Sequence, residues 1–102
     1  MRIEYEDDEL RRLATGEIRN LKRWPTTVTK LFHRRIATIA AATDERDLRE
    51  LRALHLEQLK GPQRSGQSSI RLDRQYRLIL RFYTDDHGRV TVIIDGLNYH
   101  KG

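Results

Sequence analysis

The chain has 102 residues, with 20 Lys and Arg against 15 Asp and Glu, a formal net charge of +5 and a pI near 10. It contains no cysteine, which excludes disulfides and thiol chemistry and disfavours a structural zinc site. At this length one domain, residues 1–102, with one modest core is expected, because so short a chain buries only about 60–70% of its unfolded surface. Hydrophobic content of 37% suffices for that core but leaves little room for a large ligand cavity. No apolar run is long enough to span a membrane and no apolar h-region opens the chain, so a cytoplasmic protein without a membrane partner is expected.

Arg2-Ile3-Glu4-Tyr5 alternates and predicts a short strand. Asp7 or Asp8 is placed to N-cap a helix carrying Leu10, Leu13 and Ala14, with Gly16 at its end. The segment 20–24 reads as a connection. Pro25 suits a first helical position, where its missing N–H costs nothing. Val28, Leu31, Phe32, Arg35, Ile36 and Ile39 then recur at helical spacing as far as Ala42, so an amphipathic helix should lay this stripe on a sheet. Lys30, His33 and Arg34 fall on its solvated side. Thr43 or Asp44 caps a short helix through Glu50 and Leu51, and Leu54, Leu56 and Leu59 carry the apolar content onward.

Residues 61–69 are rich in Gly, Ser, Gln and Pro and read as a loop or strand edge. Residues 69–73 alternate, with Ile70 and Leu72 on one face and Arg71 and Asp73 on the other. Arg74-Gln75 is a candidate tight connection, although it lacks Asn-Gly chemistry. In the strand 76–83, Tyr76, Leu78, Leu80 and Phe82 should face one way and Arg77, Ile79, Arg81 and Tyr83 the other. A loop at 84–88, with Gly88 free to take positive φ, leads to a strand in which Val90, Val92 and Ile94 alternate. The order predicts an α+β fold: an N-terminal strand and helices packed on one face of a C-terminal antiparallel meander sheet.

Charge is unevenly placed. The first nine residues hold Glu4, Glu6, Asp7, Asp8 and Glu9, while residues 60–81 hold Lys60, Arg64, Arg71, Arg74, Arg77 and Arg81 against the single anion Asp73. Strands hold side chains stiffly, so cations on one face would form a fixed array able to grip a phosphate backbone and stabilise charge growing on a reacting phosphate. The absence of clustered His and acidic ligands disfavours metal-dependent chemistry, and no cofactor is expected. RNA carries its own nucleophile, the 2′-hydroxyl. Cleavage without metal then needs a base for that hydroxyl, cations for the phosphate and an acid for the leaving 5′-oxygen. Histidine suits the proton transfers, with a reference pKa of about 6.5, and arginine grips phosphate oxygens in pairs.

Leu56-Glu57-Gln58-Leu59-Lys60-Gly61, then Ser69-Ile70-Arg71-Leu72-Asp73-Arg74-Gln75-Tyr76-Arg77-Leu78, and the closing Tyr99-His100 resemble the HigB, or plasmid-maintenance killer, branch of the RelE/ParE toxin superfamily. Arg46-Asp47-Leu48-Arg49 fits that family's short helix upstream. The resemblance implies a compact RelE/ParE-like, microbial-RNase-type domain. It implies a toxin of a type II toxin–antitoxin pair that cleaves mRNA on the ribosome. The implied partners are a helix-turn-helix, HigA-like antitoxin, ribosome-bound mRNA with its ribosomal RNA contacts, and operator DNA only through the antitoxin. It also assigns roles. Arg77 stabilises the scissile phosphate, Lys60 is a second cation or base, His100 is general acid or base, and Tyr99 orients the phosphate or stacks a base. Arg71, Arg74, Arg64 and Arg81 hold neighbouring phosphates, with a structural role open for Arg81. His33, His55 and His87 are expected to be surface or helix residues.

Two departures from the family pattern bear on the chemistry. Glu57-Gln58 stands where many HigB proteins have His-Pro, and Asn98 stands where the family ending has Asp. This leaves open whether Glu57, Asp95 or Asn98 supplies the missing group. Three other readings remain at this stage: a ParE-like gyrase poison, a non-catalytic RNA- or ribosome-binding module, and a weak toxin serving mainly as co-repressor of its operon.

Overall fold

A computed structural model describes residues 1–99. Its elements in chain order are β1 (Arg2–Tyr5), α1 (Asp8–Thr15), α2 (Thr26–Ala41), α3 (Glu45–Glu50), β2 (Glu57–Gln58), β3 (Ser68–Arg71), β4 (Tyr76–Asp85) and β5 (Gly88–Asn98). Short 3-10 turns lie at Arg52–Leu54 and Pro62–Arg64. The strands form one five-stranded sheet in the order β1-β5-β4-β3-β2. β1 runs parallel to β5, and the other neighbours are antiparallel. This is the expected α+β arrangement, with the N-terminal strand added to one edge of the meander.

Local chemistry explains most boundaries. The Asp7 carboxylate accepts from the Leu10 amide at 2.9 Å and starts α1; Gly16, at φ 83°, ends it. Pro25 sits one position earlier than expected, as the N-cap of α2 rather than its first residue. Asp44, rather than Thr43, caps α3 by accepting from the Arg46 amide at 2.9 Å. Between β3 and β4 an Asx turn replaces a two-residue hairpin, with Asp73 Oδ1 accepting from the amides of Gln75 at 2.8 Å and Tyr76 at 2.7 Å. Arg74-Gln75 therefore turns tightly without Asn-Gly, because the aspartate supplies the acceptor. The β4–β5 connection is tighter than the expected five-residue loop: Asp85 pairs with Gly88, leaving Asp86 and His87 as the turn.

The core lies on one side of the sheet. Leu10 and Leu13 of α1, Val28, Phe32 and Ile39 of α2, and Leu48 of α3 cluster with Ile70, Tyr76, Leu78, Leu80 and Ile93. Trp24 closes one end of the core, its ring 5.6 Å from Phe32 and 6.4 Å edge-on from Tyr76. Gly96 passes so close that a Cβ there would sit 2.3 Å from the indole Cζ2. Arg35, within the α2 stripe, donates from Nε to the Arg71 carbonyl at 2.9 Å, fastening the helix to the end of β3.

Two strand features differ from the pattern reading. The alternation of Val90, Val92 and Ile94 is broken by a bulge: Leu80 pairs with Ile93 and Ile79 with Asp95, so Ile94 has no partner across the ladder. The inserted residue shifts the phase, and Ile93, not Ile94, enters the core. β2 consists of two polar residues with no strand signal of their own. It forms because β3 offers an open edge, with Glu57 opposite Ser69 and Gln58 opposite Ser68.

Candidate functional site

The sheet face away from the helices carries the residues of interest. Alternation along β4 puts Arg77, Ile79, Arg81 and Tyr83 there, as expected, while Tyr76, Leu78 and Leu80 enter the core. On β3, Ser69 lies opposite Ile79 and Arg71 opposite Arg77. On β2, Glu57 lies opposite Ser69. Serine, two arginines and a glutamate thus come from three adjacent strands onto one corner of the face.

Arg77 is the centre of that corner, and it is only 7% exposed. Its Nε donates to Ser69 Oγ at 2.8 Å. Its Nη2 donates to the His55 carbonyl at 2.7 Å and to the Ser69 carbonyl at 3.3 Å. Three of five N–H donors are therefore committed to the protein, and Nη1 has no partner among the described residues. Burial lowers the Arg77 pKa from its ordinary value; Glu57 opposes that shift, Arg71 adds to it, and Tyr99 opposes it. The group stays cationic regardless. The result is a stiff positive charge with one amino nitrogen still to offer.

Tyr99 lies beside this corner. Its amide donates to the Gln75 carbonyl at 2.7 Å, which carries the β4–β5 pairing one residue past β5, and the side chain is 44% exposed. Arg71 and Arg74 are exposed, and neither side chain has a partner among the described residues. Lys60 is exposed just past the end of β2, in phase with Gln58 rather than with Glu57, and no bond or ion pair ties it to another described residue. Arg64 donates to Gln67 Oε1 at 3.1 Å within its own loop. Arg81 is engaged by Glu6 at 3.1 Å and lies over the Tyr83 ring at 5.6 Å, which suits a structural role. His100 lies outside the described residues.

Among the acidic candidates, Glu57 stands with Arg77, whereas Asp95 binds its neighbour's amide, Gly96 N, at 2.7 Å and lies 3.8 Å from Arg23. Asn98 pairs across the ladder with Tyr76. His33 and His87 are exposed, on α2 and in the β4–β5 turn, as expected. His55 is not merely a surface residue: its carbonyl holds Arg77, and its Nε2 lies 2.6 Å from Glu57 Oε1. Sequence reasoning passed over this role because nothing in Ala53-Leu54-His55-Leu56 marks a turn. Among the described residues no group of His, Cys, Asp and Glu could hold a metal ion.

The profile of the HigB-like toxins, described as the RelE-like toxin of the type II toxin–antitoxin system HigB, matches residues 3–100. The chain belongs to the HigB-like toxin family. A search of curated proteins finds no match. Among solved structures, a YoeB/ParE toxin from Agrobacterium tumefaciens is similar in fold, with a TM-score of 0.57 over 99% of this chain and 100% of that one, at 14% sequence identity. As a HigB-like toxin the chain is one half of a toxin–antitoxin pair, and the family implies an antitoxin partner. No helix among the described residues is long and apolar enough to cross a membrane.

Proposed function

We propose that this HigB-like toxin is an endoribonuclease that cuts mRNA on the ribosome by metal-independent transesterification. One observation carries the reading: Arg77 is buried, fixed by Ser69 and the His55 carbonyl, and keeps Nη1 uncommitted beside Arg71, Glu57 and Tyr99. A cation held this way needs no reorganisation when charge grows on the phosphate. The 2′-oxygen attacks the adjacent phosphorus while Glu57 takes its proton, the bond to the 5′-oxygen breaks, and His100 returns a proton to that oxygen. The products are a 2′,3′-cyclic phosphate and a 5′-hydroxyl. Arg77 stabilises the phosphate in passage, Tyr99 orients it or stacks a flanking base, and Arg71, Arg74 and Lys60 hold neighbouring phosphates. A HigA-like antitoxin neutralises the toxin in the cytoplasm and links the pair to operator DNA.

The test is induction of the toxin in cells, followed by primer extension on mRNA and a parallel assay for DNA breaks. Cuts within translated codons, absent when translation initiation is blocked, are expected. DNA breaks with intact mRNA would instead mark a gyrase poison, and growth arrest with neither would mark a binding module.

A further inference from the structure

His55 departs from the ordinary in three ways at once. It is the one non-glycine residue with positive φ among the described residues, at φ 48° and ψ 56°. Its carbonyl accepts from Arg77 Nη2 at 2.7 Å. Its imidazole Nε2 lies 2.6 Å from Glu57 Oε1, with both side chains about half exposed. The left-handed backbone links these facts. It ends the 3-10 turn at Arg52–Leu54, where the His55 amide donates to the Arg52 carbonyl at 3.1 Å, and turns the chain into β2. That reversal aims the carbonyl at Arg77 while leaving the side chain within reach of Glu57, two residues on. Histidine tolerates this conformation better than most residues, yet glycine or asparagine would hold it at lower cost. A conformational cost retained at a functional corner points to a use for the side chain.

We propose that His55 is a positioning residue of this site: its imidazole holds the Glu57 carboxylate in place on the phosphate-binding corner while its main chain anchors Arg77. The inference rests on the endoribonuclease reading and deepens it. An exposed carboxylate next to two arginines has several competing resting places. A hydrogen-bond donor on the side away from Arg77 selects one of them, leaving the second carboxylate oxygen for the 2′-hydroxyl. The imidazole itself touches no reacting atom. The charged and titratable groups that share this corner are Glu57 from β2, Arg71 from β3, Arg77 from β4 and Tyr99 beyond β5.

The experiment compares wild type, His55→Gly, His55→Asn, Glu57→Ala and the double variant His55→Gly/Glu57→Ala in single-turnover cleavage of ribosome-bound mRNA, with thermal melting alongside. Glycine and asparagine accept the left-handed backbone and keep the carbonyl on Arg77, so both variants should melt at or above the wild-type temperature. Their maximal cleavage rate should nevertheless fall at least tenfold, with the half-saturating ribosome concentration unchanged. In the Glu57→Ala background, His55→Gly should cost nothing further, because the two side chains act as one unit. Wild-type rates in both single His55 variants would overturn the proposal and leave the nuclease reading standing, as would losses that simply multiply in the double variant. A wild type that cuts no RNA would remove the nuclease reading and this inference with it.

Discussion

Arg77 is built into the sheet rather than laid upon it, and that changes what its substitution means. Replacing it by alanine leaves Ser69 and the His55 carbonyl without their donor, a loss on the order of 1–3 kcal/mol in stability besides any loss of activity. A non-toxic Arg77→Ala variant would therefore be ambiguous without a melting curve. Arg77→Lys keeps the charge but loses the planar fork that bridges Ser69 and His55. We expect Arg77→Lys to stay folded at 37 °C, as judged by circular dichroism, while cleavage drops by roughly 10²–10³-fold, the usual loss when one preorganised donor is misplaced. A variant that cuts at the wild-type rate would show that Arg77 serves packing alone. Arg71 offers the complementary case, since it is exposed with an unpartnered side chain, and Arg71→Ala should weaken RNA binding without lowering the melting temperature.

At the level of elements, short polar devices set the geometry that the apolar pattern only outlines. Gly96 lets β5 pass under Trp24; Gly96→Ala would drive a Cβ to 2.3 Å from the indole and should cost about 1–3 kcal/mol, read as a lower denaturation midpoint. Asp44 holds the start of α3, and its hydrogen bonds from the Arg46 side chain and then the Arg46 amide pull its pKa from 3.8 down to about 2. Because the folded value lies below the ordinary one, this support is complete above pH 3.8 and disappears as pH falls towards 2. Exchange of the Arg46 amide should accordingly speed up across that window in wild type, and much less in Asp44→Asn, which keeps a capping side chain that does not ionise. The same contrast explains what sequence could reveal. α1, α2, α3 and the faces of β4 were legible because each has a period and a cap within its own few residues. β2 was not, since its two residues become a strand only against β3, and the Ile94 bulge was not, since it is a mismatch between two strands rather than a property of one. His55 gave no turn signal, and its link to Arg77 spans 22 positions, beyond any local pattern.

Across the whole molecule, the acidic N-terminus and the basic strands are two parts of one charge distribution. Glu6 binds Arg81, Glu4 accepts from the Tyr83 hydroxyl at 2.6 Å, and Asp7 and Glu9 approach Arg23. The cations near β1 are thus neutralised within the fold. Those at the β2–β3 end, Arg71 and Arg74 with Lys60 nearby, remain without partners among the described residues. Net charge alone said that a polyanion was a plausible partner; this sorting gives the site at which it would be gripped. The family resemblance lay in residues 56–82 and the closing Tyr99-His100, and the profile match over residues 3–100 agrees with it. The account therefore comes down to whether a fixed guanidinium, a carboxylate and a terminal imidazole cut RNA at that end of the sheet. The most direct measurement is to mix the purified toxin, free of antitoxin and in the presence of a chelator, with ribosomes stalled on a defined mRNA, and to map the ends formed. Cuts at one position in the ribosome-bound codon, bearing a 2′,3′-cyclic phosphate upstream and a 5′-hydroxyl downstream, are the predicted result. Intact mRNA, or cleavage that appears only when a divalent metal is restored to otherwise intact ribosomes, would contradict it.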